Sequence, residues 1–156
     1  MTPMPYTESD PVLSGVDFAT ARQRVAFEVV YGWLYELYGE SAQRHRQRPS
    51  FLCSTLGTQI VAEVEVVDEY ELAIYLWSYP LGEVVQEFTE RGLLSMLELN
   101  AALVYGSLTV RGGGVIVLEY ATGWEGMTKE RIGQLVLWMA TATQDLARRL
   151  PETVAS

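Results

Sequence analysis

Three glutamates and three aromatic residues are the side chains of this sequence best placed to do chemistry together: Glu63, Glu65, Glu71, Tyr75, Trp77 and Tyr79. Clustered carboxylates can hold a divalent cation, but a calcium loop needs oxygen donors at set positions, and that spacing is absent. No metal is assigned. The acids read instead as a charged strand face that selects basic partners. Large aromatics on the less apolar side of a strand are either covered, by the same chain or a second subunit, or they receive a segment of a partner protein. All six residues are therefore candidates for partner contact.

Other reactive residue types are sparse. His45 is the only histidine, which leaves little for a multi-histidine zinc site or a Ser/His/Asp triad. It lies in the polar stretch Glu40 to Ser50, between Arg44, Arg46 and Arg48. A phosphate or nucleic-acid site is one reading of that cluster. The preferred one is a solvated loop whose charges offset an acidic body. Cys53 is the only cysteine, so no intrachain disulfide can form, and its apolar surroundings suit a small core residue rather than a nucleophile. An enzyme could use Glu119 and Glu125 as general acid and base, yet neither has a positioned partner in the sequence. No catalytic residue and no cofactor is assigned.

The elements that would position these groups follow from periodicity. Asp17 is a plausible N-cap for a helix ending at Gly39, with Phe18, Ala21, Val25, Val29, Leu34 and Leu37 inward and Arg24, Glu28 and Tyr35 outward. Strands are expected over Phe51–Leu56, Thr58–Val66 and Tyr70–Tyr79. An odd-length connection around Asp68 and Glu69 keeps Ile60, Ala62, Val64 and Val66 on the same side as Leu72, Ile74 and Leu76. The opposite side then carries the acids and aromatics. Pro80 and Gly82 precede a second helix, roughly Glu83 to Val104, with Val84, Val85, Phe88, Leu93, Leu94, Leu97, Ala101 and Leu103 as its apolar residues. Asn100, polar among them, suits a bond to backbone where helix passes into strand.

A glycine-turned hairpin follows. A three-residue loop, Gly112 to Gly114, sets Val110 opposite Ile116, Leu108 opposite Leu118 and Gly106 opposite Tyr120. Thr128 then caps a last helix running to Leu150, whose Ile132, Leu135, Val136, Met139, Thr143, Leu146 and Leu150 recur at spacings of three and four. The alternative reading is a small-molecule-binding sensory domain with a pocket between sheet and helices near Trp124 and Trp138.

With 156 residues the chain suits one domain. Residues 1–16, rich in proline, read as a flexible leader, 17–150 as the domain and 151–156 as a tail. Eleven basic against twenty acidic residues give a formal net charge of −9, which argues against broad binding of DNA, RNA or an anionic membrane. No apolar run reaches the ~20 residues of a membrane span, and the first residues lack the pattern of a signal peptide, so a cytoplasmic location is expected.

The order of helix, three strands, helix, two strands, helix makes an α+β domain with an antiparallel sheet packed by helices. With Leu99-Asn100, Gly106 at the hairpin entry and Met127-Thr128-Lys129-Glu130 before the last helix, the chain resembles the YbjN / TY-Chap group. That group is similar to class I type III secretion chaperones of the Tir-chaperone kind. The resemblance spans about Asp17 to Leu150. It implies a small acidic homodimer, without cofactor or catalysis, that binds an extended segment of another protein.

Overall fold

The computed structural model describes residues 6–7 and 16–155. Its strands are β1 (Tyr6–Thr7), β2 (Ala42–His45), β3 (Ser50–Thr55), β4 (Thr58–Val66), β5 (Leu72–Ser78), β6 (Ser107–Arg111) and β7 (Val115–Gly123). Helices α1 (Ala21–Tyr38), α2 (Glu90–Ala101) and α3 (Lys129–Ala155) complete the α+β domain. All strand pairs are antiparallel, in the order β1-β2-β3-β4-β5-β7-β6.

The registers follow the apolar alternation. Val66 pairs with Leu72 and Val64 with Ile74, so five residues, 67–71, connect β4 to β5 and the apolar sides coincide. Arg111 pairs with Val115 across the three glycines, and Val110 with Ile116. Gly106 has φ +70, and a Cβ there would overlap the Glu119 carbonyl oxygen, so only glycine fits beside β7. The Asn100 side-chain oxygen accepts from the Leu108 N–H at 2.9 Å and ties α2 to β6. At the β3–β4 turn Leu56 and Gly57 both have positive φ, 51° and 72°, as a tight two-residue hairpin requires.

One side of the sheet is covered by the helices. Phe51, Ile60, Val64, Ile74, Leu76, Ile116 and Leu118 pack there with Phe27, Val30 and Leu34 of α1, Met96 of α2 and Ile132, Leu135, Met139 and Leu150 of α3. Cys53 belongs to this core, and burial pushes its thiol up to about 12, so it is inert. The sequence expectation for α3 holds at its start, where the Thr128 hydroxyl accepts from the Arg131 N–H at 3.1 Å.

Five expectations are corrected. First, α1 starts after Thr20, whose hydroxyl accepts from the Gln23 N–H, and its buried side is Gln23, Ala26, Phe27, Val30 and Leu34. Val25, Val29 and Leu37 face out. Apolar residues occur on both sides of the helix, and Gln23 is drawn inward by bonds from its amide to the Val64 carbonyl and to its carbonyl from the Ala19 N–H. Second, part of the stretch expected as a solvated loop is strand β2, stitched to β3 by Ala42↔Cys53 and Arg44↔Phe51. Third, α2 begins only after Thr89, whose hydroxyl accepts from the Gly92 N–H, and residues 83–89 precede it without helical form. Fourth, Tyr6–Thr7, expected within an unstructured leader, pair with His45 and Arg44; residues 1–5 and 8–15 of that leader lie outside the described residues. Fifth, α3 runs through Pro151 to Ala155, so 151–155 continue the helix. Proline forfeits one backbone bond but its φ is helical, and the buried Leu150 anchors that turn.

His45 gives the β2–β3 turn a pH dependence. Its Nδ1 accepts from the Gln47 and Arg48 N–H groups, at 3.0 and 3.1 Å, and protonation there would forfeit both bonds. Burial and then the Arg48 charge lower its pKa, against a smaller opposing pull from Glu63. A pKa lower in the folded than in the unfolded state gives stability present above the unfolded value of about 6.5 and lost as pH falls below it. Thermal unfolding between pH 7.5 and 5.5 is therefore expected to weaken more steeply for the native chain than for His45→Asn, whose amide oxygen still accepts. Equal slopes would remove His45 from that role.

Candidate functional site

The face of the sheet away from the helices is built by β4, β5 and β7. Register sets Glu63 beside Tyr75, Val61 beside Trp77, and Trp77 beside Glu119. The Tyr75 and Trp77 rings lie 5.1 Å apart at 41°. On this side of the sheet Leu52, Val61 and Val117 are buried, and none of the three belongs to the core cluster under the helices.

Four of its charges are already paired, Glu63 with Arg48 and Glu119 with Arg111. The Tyr75 hydroxyl donates to the Glu119 carboxylate, and Arg111 from β6 bonds both groups. Burial, and then that hydrogen bond, push the Tyr75 hydroxyl up to about 12, so it stays protonated as a donor. Arg48 holds both oxygens of the buried Glu63, at 3.1 and 2.9 Å. Glu65 stays exposed, and its carboxyl is pushed up by burial and by Glu63.

The structure thus brings Glu63, Glu65, Tyr75 and Trp77 onto one face, as the sequence expects. Tyr79 follows β5 and is exposed. Glu71 lies in the turn before β5, where its N–H bonds the Asp68 side chain, and it is not part of the ladder. Arg111 and Glu119 join the face by register, and Arg48 joins it from the β2–β3 turn through its bonds to Glu63.

A second surface went unread in the sequence. Strand β6 is the last of the sheet, with α2 beside it. Leu93, Met96, Leu97, Asn100, Leu108 and Val110 line a groove of about 310 Å³ there. Leu97 is 63% exposed and Val110 45%. The signal was present without a side assigned to it: Leu93, Leu94 and Leu97 stand among the apolar residues expected for this helix, and only Gly92 and Met96 of α2 are buried. A helix with more leucines than one core face can hold leaves the surplus outside.

The two tryptophans of the pocket reading stand in separate groups. Trp124 packs on Trp33 at 5.6 Å, while Trp138 meets Tyr105 and Tyr120. Glu119 is held by Tyr75 and Arg111, whereas Glu125 lines a shallow pocket with Arg22 and Tyr70, so the two do not share a site. Among the described residues no group of three or more His, Cys, Asp or Glu is arranged to hold a metal ion, and no helix is long and apolar enough to cross a membrane. No protein-family model matches the chain, and no curated protein matches it either.

Proposed function

We propose that the chain is a cytoplasmic, non-enzymatic protein-binding module, chaperone-like or an adaptor, that holds an extended segment of a partner along the open edge of β6. One observation carries this reading: among the described residues β6 pairs only with β7, and the groove beside its other edge is apolar and exposed. A strand added there gains backbone hydrogen bonds, and its side chains alternate between two surfaces. One set enters between Leu93, Leu97 and Val110. The other reaches the side bearing Arg111, Glu119, Tyr75 and Trp77, where the exposed Glu65 and the net charge of −9 favour a basic or amphipathic segment. The proposed assembly is a homodimer.

Protein recovered from its native cell is expected to carry one partner at fixed stoichiometry. Leu97→Glu, at an exposed position, is expected to lose about tenfold or more of that capture with an unchanged unfolding curve. Full capture by Leu97→Glu would sink the groove reading. Loss only in Tyr75→Ser with Trp77→Ser would move the site to the sheet face. Light scattering separates the remaining outcome, since a dimer that Leu97→Glu turns into a monomer would make the groove a seam between copies.

A further inference from the structure

We propose that Arg44 anchors an oxyanion site at the β2 end of the sheet, taking a carboxylate or phosphate group. Register sets Arg44 opposite Phe51, on the helix-covered side, with its guanidinium 4.6 Å from the centre of the Tyr31 ring. Only 8% of its surface is accessible, its Nε is enclosed without a hydrogen-bond partner, and none of the ion pairs among the described residues includes it.

That arrangement is costly as it stands. A buried charge without a counter-charge is costly, and stacking on one tyrosine offsets only part of that cost. A guanidinium cannot escape by losing its proton, as a buried lysine does. Its planar fork is shaped for two oxygens of one anion, and the tyrosine fixes the plane of that fork. The molecule carries twenty acidic residues, yet those described commit none to Arg44. Nearby in the β2–β3 turn, Arg48 is engaged by Glu63, while the exposed Arg46 enters none of these ion pairs. Arg46 adds positive potential to the basic stretch Arg44 to Arg48 of an acidic chain, which draws an anion toward it.

The test is thermal unfolding of the full chain with sodium phosphate or sodium acetate as probe, with ionic strength matched by sodium chloride. A probe at ten times its Kd is expected to raise the Tm saturably by about 3–6 °C. Arg44→Lys, which keeps the charge and loses the fork, is expected to weaken binding at least about tenfold. Arg46→Gln is expected to weaken it severalfold through lost attraction. Because Arg44→Lys could fail to fold, the Nε–H resonance of Arg44 is followed in the unaltered protein, where phosphate or acetate should shift it. The larger response names the ligand as phosphate or carboxylate. No Tm rise with either probe, an equal rise in Arg44→Lys, or an unmoved Nε–H resonance would overturn the proposal.

Discussion

Gly114→Ala is expected to destabilise the domain by about 3 kcal/mol or more, while Gly112→Ala, two residues earlier in the same loop, stays within about 0.5 kcal/mol of the native chain. Gly114 has φ +90, which costs an L-residue about 1–2 kcal/mol. Its absent Cβ is also where the Val85 carbonyl oxygen sits, and the Val85 N–H donates to the Gly114 carbonyl at 3.0 Å. Backbone on both sides leaves no flexible side chain to give way. At Gly112 an added Cβ meets nothing within 4 Å, and its φ lies outside the left-handed region. Urea unfolding of the two variants reads the difference. Equal losses would mean that the loop acts as a generic turn, without docking on Val85. The docking has a functional side, because the segment through Val85 leads into α2, and α2 forms one wall of the groove at β6.

How far the sequence reached depended on how local each determinant is. The β4–β5 and β6–β7 registers were legible because a one-residue slip would turn every apolar side chain out, and Val66↔Leu72 and Val110↔Ile116 are the pairs that avoid it. Asn100 and Thr128 were legible because a polar residue at a helix end has few local uses. The placing of Tyr75, Trp77, Glu63 and Glu65 on one face followed from the same alternation. What escaped depends on contacts distant in sequence. Gln23 turns α1 through Val64, and Arg44 is buried where it lies between β1 and β3 against Tyr31, although its neighbours in sequence are polar. Three glycines announce a turn, but which one is indispensable depends on Val85. The groove was hidden by a sound habit of reading, since leucines on an amphipathic helix usually face a core and here meet the end of the sheet.

Phe27→Ala tests the least legible of these features, the direction in which α1 faces. It is expected to cost about 3–5 kcal/mol, and Val25→Ser, two residues earlier and so on the opposite side of the same helix, less than about 0.5 kcal/mol. Phe27 is fully buried, stacked on Phe51 at 4.4 Å and 20°, with Phe18 edge-on at 5.2 Å. Truncation removes a large apolar surface, leaves a cavity between α1 and β3, and forfeits the ring contacts, worth about 0.5–1.5 kcal/mol beyond area. Val25 is 59% exposed, so its side chain has little burial to lose, and serine and valine have similar helix propensities. The helix periodicity read from sequence ranks the two the other way, with Val25 inward. Urea midpoints with unchanged slopes decide between them. A larger loss in Val25→Ser would rotate the helix back, bringing Val25 and Val29 onto Phe51 and displacing Gln23 from the Val64 carbonyl that now holds it.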